Sequence, residues 1–358
     1  MSVFTKYKKD LAKVSGVSMG DGIPKFWINT GSFVLNKIIS GKYDRGIPQG
    51  RLTLLTGPSG SGKSFVLANI IASAQKSDCS VLVVDTENAL DFDYLSAVGV
   101  DVTQEDFLRI TVNEVNTCLT AINTILSVYR EAEKNGEPMK KLIIFIDSLD
   151  FLFLTHALEA YEKTGELNND QGLHAKKLKQ LLTTLMQDIQ EMPVAIVATK
   201  QVYVDQDPKA FPPFKLTESL KFPFSQIILL SRYFERDAKT RSIDGIRMKA
   251  FGWKVRFTKP FQQVELTVPY DTGLDPYDGI LSAAVSLGII TKNGSWYQYK
   301  GKNFYSKDFN TIQEEILAIL ISRESESLCV QLEGVEDLPA STPDDIKRQK
   351  LEEISLRD

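Results

Sequence analysis

Gly57-Pro58-Ser59-Gly60-Ser61-Gly62-Lys63-Ser64 stands between an apolar stretch, Leu52 to Thr56, and a helix-patterned one, Phe65 to Lys76. Glycine has no Cβ and enters backbone conformations closed to other residues, so this spacing calls for a strand, a tight loop and a helix in direct succession. Such a loop turns its N–H groups around phosphate oxygens, and the helix points its positive N-terminal end at the same anion. Lys63 is placed to reach β- and γ-phosphates, and Ser64 to offer a hydroxyl to Mg²⁺. A Gly/Ser-rich strand-to-helix turn is usually only a turn. The whole pattern, with Lys-Ser after its last glycine and a strand before its first, identifies a phosphate loop, and the chain is expected to bind nucleotide.

The rest of the chain is consistent with an α/β fold. From Phe26 to about Val268, strand-like runs alternate with longer helical stretches, which predicts βα units and a largely parallel sheet. The expected strands are Leu52–Thr56, Val81–Asp85, Leu142–Asp147, Val194–Thr199 and Ile227–Leu230, with two more around Lys254–Phe257 and Gln263–Val268. Ligands of open α/β sheets gather beyond the carboxyl ends of the strands, so the first four ends should converge on one cleft. Two segments, Thr164–Gly172 and Tyr203–Phe224, resist assignment. The second carries Pro208, Pro212, Pro213 and Pro223, which disfavour helix and inner strand. Ahead of the core lies a short arm with a helix candidate, Phe4–Val14. After the core come an apolar helix, Gly279–Leu287, an aromatic hairpin around Trp296, Tyr297 and Tyr299, and a helix near Thr311–Ile321. The expected organisation is an arm over 1–28, a core over 29–268, a small α/β module over 269–322 and an acidic tail over 323–358.

With 358 residues, 43% hydrophobic and 25% charged, the chain has enough material for a large core. Its longest apolar runs are strand-sized, and its N-terminus carries charge where a signal peptide is apolar, so no membrane partner and a cytoplasmic location are expected. Three cysteines, Cys79, Cys118 and Cys329, and two histidines, His156 and His174, give a zinc site or a disulfide framework little to build on. The net charge of −4 is uneven: residues 323–358 hold ten acidic and five basic residues, leaving residues 1–322 at +1. A near-neutral body does not exclude DNA, because affinity depends on where Lys and Arg face.

Two carboxylates stand at strand ends. Asp147 closes Leu142-Ile143-Ile144-Phe145-Ile146-Asp147, the pattern of an acid that holds Mg²⁺; alone, such an Asp serves equally as a helix cap. Glu87 follows Val81–Asp85 and is placed to activate a water for attack on a γ-phosphate, although without the phosphate loop it reads as a surface or cap residue.

Several segments, in order, resemble the RecA recombinases: Asn29-Thr30-Gly31-Ser32, Gly46-Ile47-Pro48-Gln49-Gly50-Arg51, Asp85-Thr86-Glu87-Asn88-Ala89-Leu90-Asp91-Phe92-Asp93-Tyr94, Val255-Arg256-Phe257-Thr258-Lys259-Pro260-Phe261 and Gly294-Ser295-Trp296-Tyr297-Gln298-Tyr299-Lys300-Gly301. The resemblance covers residues 29 to about 322. Gly273-Leu274-Asp275-Pro276-Tyr277-Asp278-Gly279 and the short arm look closest to the phage UvsX-like members.

The resemblance implies a RecA-like P-loop ATPase core with a mostly parallel sheet flanked by helices, using ATP and Mg²⁺. It gives Glu87 the water-activating role and Asp91 and Tyr94 the adenine contacts. It makes Gln201, or failing that Thr199, a γ-phosphate switch, although Lys200 stands where an Asn usually precedes that Gln. Lys254 and Arg256, two apart on an expected strand, become cations that reach a neighbouring subunit's ATP. The unassigned segments fall on the family's two DNA-binding loops. The first holds Asn168, Asn169, Asp170, Gln171 and Gly172 and leads into Lys176 and Lys177. The second carries Lys209, Phe211, Phe214, Lys215 and Lys221, with lysines for phosphates and rings for bases.

The implied function is a DNA-dependent ATPase that forms helical homo-oligomeric filaments on single-stranded DNA and exchanges strands with double-stranded DNA. Single-strand-binding and loader proteins would be its partners, in a host cytoplasm if the source is a phage. The rivals are a ring-shaped hexameric helicase or clock-type motor on the same core, and a recombinase paralogue that does not exchange strands.

Overall fold

A computed structural model of the chain describes residues 3–11, 14, 22–154, 171–207, 209–236, 243–268 and 272–333. The chain divides into two units, residues 1–317 and 318–358.

The elements of the first unit follow in chain order. Helix α1 is Val3–Leu11; strand β1, Trp27–Ile28, pairs antiparallel with β2, Ile47–Pro48, across α2, Phe33–Ser40. The phosphate loop joins β3, Leu52–Gly57, to α3, Lys63–Lys76. Next come β4, Cys79–Asp85; α4, Phe92–Ala97; β5, Phe107–Thr111; α5, Val115–Asn135; and β6, Lys141–Asp147, which ends in a single 3₁₀ turn, Leu149–Phe151. Then follow α6, Gln171–Asp188; β7, Val194–Gln201; β8, Tyr203–Val204; β9, Phe214–Lys215; α7, Glu218–Lys221; β10, Gln226–Arg236; β11, Ile243–Lys254; and β12, Gln263–Thr267. Helix α8, Ile280–Ser286, precedes a three-stranded antiparallel sheet of β13, Thr291–Asn293, β14, Trp296–Tyr299, and β15, Lys302–Phe304. Helix α9, Gln313–Glu333, starts in the first unit, and its remainder is the described part of the second.

The central sheet has eight strands in the order β12-β11-β10-β3-β7-β6-β4-β5. β10, β3, β7, β6, β4 and β5 are mutually parallel, and β11 and β12 extend the sheet antiparallel beyond β10. Parallel strands covered on both faces need continuous apolar runs, and every residue of β3 is buried. Leu52 and Leu54, Leu82 and Val84, Ile144 and Ile146, and Ile196 and Ala198 share a core with Cys118, Ile122 and Leu126 of α5 and Leu178, Leu181, Leu182 and Leu185 of α6. Those helical residues recur every three to four positions, as one buried stripe requires. Helix α3 packs against β3, β4, β6 and β7 from the opposite face.

Several expectations are corrected. The strand placed around Lys254–Phe257 instead ends at Lys254, and Arg256 lies in the bend beyond it, so the two cations do not share a strand face. The expected irregular stretch Tyr203–Phe224 contains the paired β8 and β9 and the single turn α7, because Tyr203 faces Lys215 and Val204 faces Phe214 across the proline-rich tip. An edge strand, β5, was not anticipated. Helix α1 begins at Val3, and α9 runs on to Glu333, past the expected stop at Ile321. Asn168, Asn169, Asp170 and the tail from 334 lie outside the described residues. Among the described residues no helix is long and apolar enough to cross a membrane.

Candidate nucleotide site

The ends of β3, β4, β6 and β7 meet in one cleft of about 270 Å³ lined by Ser59, Gly60, Gly62, Lys63, Ser64, Phe65, Glu87, Tyr94, Asp147 and Gln201. The phosphate loop fits its place tightly. A Cβ on Gly57 would stand 2.2 Å from the Leu230 carbonyl oxygen and 2.4 Å from Ser61 Oγ. Gly62, at φ +91°, is the N-cap of α3; no side chain caps that helix and no acidic residue lies in its first turn. Its free N–H groups and positive end therefore face the cleft, an arrangement that suits a phosphate. Pro58 contributes through its carbonyl.

Lys63 Nζ donates to the carbonyl oxygens of Gly57 at 3.1 Å and Pro58 at 3.0 Å. Burial lowers its pKa below the ordinary lysine value, although Asp147, Asp150 and Glu87 pull the other way. Asp147 is 2% exposed and accepts from Thr199 Oγ1 and Ser64. Burial raises its carboxyl above the usual carboxylate range, opposed by those two hydroxyls. Ser64 and Asp147 thus present a hydroxyl and a carboxylate side by side, the oxygen donors that Mg²⁺ takes alongside nucleotide oxygens. Among the described residues there is no cluster of three or more His, Cys, Asp or Glu side chains placed to hold a metal ion.

Glu87 Oε1 accepts from Ser148 Oγ at 2.7 Å, which holds the carboxylate at the cleft. Ser148 is a partner the sequence did not single out. Tyr94 also lines the cleft, its hydroxyl pushed up to about 12 by burial and then by Asp147 and Asp91. Asp91 is not among the lining residues: it caps α4, accepting from the Tyr94 N–H at 2.7 Å.

The end of β7 separates two candidate switch residues. Thr199 is buried against Asp147, whereas Gln201 lines the cleft. Lys200 pairs with Asp150, and the second oxygen of Asp150 accepts from the Gln201 N–H at 2.7 Å. Gln201 also borders a second cleft of about 560 Å³, lined by Lys200, Tyr203, Val204, Asp205, Gln206, Lys215, Leu216 and Thr217.

The remaining sequence candidates lie elsewhere. Lys176 is exposed and Lys177 half-buried near the start of α6; Lys209 and Lys215 are exposed. Phe214 packs against the core, and Phe211, although 60% exposed, meets Phe251 and Phe261 edge-on at 5.6 and 5.8 Å. Lys254 Nζ donates to the carbonyl oxygens of Lys221 at 2.8 Å and Phe222 at 3.4 Å, beside Trp253 and Phe261, and is not among the residues lining the nucleotide cleft; nor is the exposed Arg256. Burial, and then Arg256, lower the Lys254 pKa.

Comparison with known proteins gives the same reading. The model of the RecA N-terminal domain matches residues 4–275. The chain is 28% identical to Protein RecA of Thermus aquaticus over 335 residues, covering 88% of this chain and 91% of that protein. It is 28% identical to Protein RecA of Clostridium novyi (strain NT) over 306 residues, 83% and 81% of the two. For Protein RecA of Aquifex pyrophilus the figures are 30% over 263 residues, 72% and 70%. A phosphate loop at the middle of a mostly parallel sheet, acids at the ends of β4 and β6, and a family match over most of the length together mean that this chain belongs to the RecA family.

Proposed function

We propose that the protein is a DNA-dependent ATPase and strand-exchange recombinase that polymerises as a helical filament on single-stranded DNA. One observation supports this reading: Gln201 borders both the phosphate cleft and the cleft of the Tyr203–Lys215 segment, so one residue could couple a bound nucleotide to the proposed DNA segment. A γ-phosphate that draws Gln201 toward Lys63 would reposition Tyr203 and Lys215 at the far side, and loss of that phosphate would release them.

In hydrolysis the loop N–H groups and Lys63 bind and orient the phosphates, and Glu87, fixed by Ser148, orients the attacking water and takes its proton. Ser64 and Asp147 would hold a Mg²⁺ ion, which would supply charge neutralisation at the phosphate oxygens. Tyr94 covers the base. Neither Lys254 nor Arg256 lines its own subunit's cleft, which suits a role at a neighbouring subunit's ATP, with the arm at 1–28 docking between subunits. Lys176, Lys177, Lys209, Phe211 and Lys215 are the DNA contacts of this reading, and Phe214 supports them from within. The spelling Gly273–Gly279 and the short arm favour the phage UvsX-like branch.

Electron microscopy with a slowly hydrolysed ATP analogue and single-stranded DNA tests the proposal. Open helical fibres that need nucleotide are expected; closed six-membered rings would replace it with the helicase-like motor. Fibres without strand exchange in a homologous pairing assay would leave the non-exchanging paralogue.

A further inference from the structure

Asp85 closes β4 and is completely buried. Its Oδ1 accepts from the N–H groups of Glu87 at 3.1 Å and Ala89 at 3.4 Å, and its Oδ2 from Leu90 N–H at 3.1 Å. The turn that carries Glu87 is therefore wound around one carboxylate, with Asn88 at φ +55° to complete the curl. An ionised carboxylate without access to water needs a counter-charge as well as donors. Arg109 on β5 supplies it: Nε and Nη2 lie 3.2 and 2.6 Å from Asp85 Oδ2, and Nη2 also reaches Asn88 Oδ1 at 2.8 Å.

The parallel register explains the reach. Arg109 stands opposite Val83, two residues before Asp85, and extends along the strand to the carboxylate and to the turn beyond it. The Arg109 side chain is 18% exposed, and its guanidinium fork ties the strand end to the turn in a way that a single ammonium does not. Glu87 is thus held from two sides, its backbone by Asp85 and Arg109 and its carboxylate by Ser148.

We infer that Arg109 is a positioning residue for ATP hydrolysis, setting through Asp85 and Asn88 the turn from which Glu87 addresses the attacking water. This inference rests on the proposed role of Glu87. Arg109 makes no contact with the nucleotide cleft, so its loss should lower kcat and leave nucleotide affinity alone.

The test uses the full chain with ATP and single-stranded DNA. Arg109→Met should lower kcat at least tenfold, keep KM and nucleotide Kd within about threefold, and add no loss in a Glu87→Gln background, as expected when both changes disable one group. Arg109→Lys, with the charge but not the fork, should recover part of the rate. A folded Arg109→Met protein with wild-type kcat overturns the inference, as does a loss of equal proportion in both backgrounds. Should Arg109→Met fail to fold, Arg109→Lys decides: a several-fold fall in kcat at unchanged KM supports the role, and wild-type kcat overturns it. Absence of hydrolysis in the unsubstituted protein refutes the ATPase reading itself, a different result from either.

Discussion

Replacing Lys63 with methionine removes one charge and keeps most of the side-chain volume, and the structure predicts opposite consequences with and without nucleotide. Without nucleotide the ammonium is desolvated between the Gly57 and Pro58 carbonyls, and its pKa lies below 10.5. Folding therefore favours the neutral amine, and stability rises with pH between that lowered pKa and 10.5. Lys63→Met should match or exceed the wild-type melting temperature and lose that pH dependence. With nucleotide the balance reverses. A unit charge about 4 Å from a phosphate at an effective dielectric near 20 contributes roughly 4 kcal/mol, about a thousandfold in Kd. At ATP a hundredfold above the wild-type Kd, binding stabilises the wild type by about 2.7 kcal/mol, against about 0.1 kcal/mol for the variant. At ~2 °C per kcal/mol for a chain of this size, thermal denaturation should show a rise of about 5 °C in the wild type and none resolvable in Lys63→Met. A variant that keeps the nucleotide-induced rise, or that melts far below wild type without nucleotide, would refute this account of Lys63.

Three further outcomes are expected. Glu87→Gln should keep nucleotide affinity while kcat falls by about 10²–10⁴, leaving filaments locked on DNA; rapid turnover would remove Glu87 from the reaction. The Asp147 carboxyl, raised above 3.8 by burial, favours the folded state at pH below 3.8, and that contribution is lost as pH rises through the raised value. Because Mg²⁺ needs the ionised form, Mg²⁺-dependent nucleotide affinity should fall as pH is lowered into the same window, and Asp147→Asn should flatten the titration; an identical pH profile for that variant would show that another group controls binding. Lys254→Ala should lose more than tenfold of DNA-stimulated hydrolysis while isolated subunits bind nucleotide normally, and full turnover by a strictly monomeric preparation would count against an intersubunit role.

The parts of the fold legible in the sequence were those with a local signature. The phosphate loop is a spelling, and β3, β6 and β7 are apolar runs because both of their faces are covered. Strand β5 escaped notice because it is an edge strand with Arg109 at its centre, and β11 because Arg247 and Lys249 interrupt a period-two pattern whose buried members are Met248, Ala250 and Gly252. Within the site, Lys63 is readable from the loop spelling and Glu87 and Asp147 from neighbouring strand ends, whereas Gln201 is reached only through the resemblance to the RecA recombinases. The Arg109–Asp85 pair was not, since it joins positions on adjacent strands that only the register brings together. Ser148 and Asp150 stand directly beyond Asp147, but their bonds to Glu87 and to Lys200 with Gln201 arise from the packing of β4 and β7 on either side of β6.

The order of the sheet also bears on how the chain is made. β3 leaves the ribosome early, yet its hydrogen-bonding neighbours are β7, starting at Val194, and β10, starting at Gln226. At ordinary translation speeds of about 5–20 residues per second, the nascent phosphate-loop strand waits roughly 7 to 30 s for its first partner. Throughout that interval it exposes two bare edges of Leu-Thr-Leu-Leu-Thr-Gly. Synthesis of this protein therefore includes a period in which this strand, wholly buried in the finished fold, must be shielded by a chaperone or risk pairing with another chain.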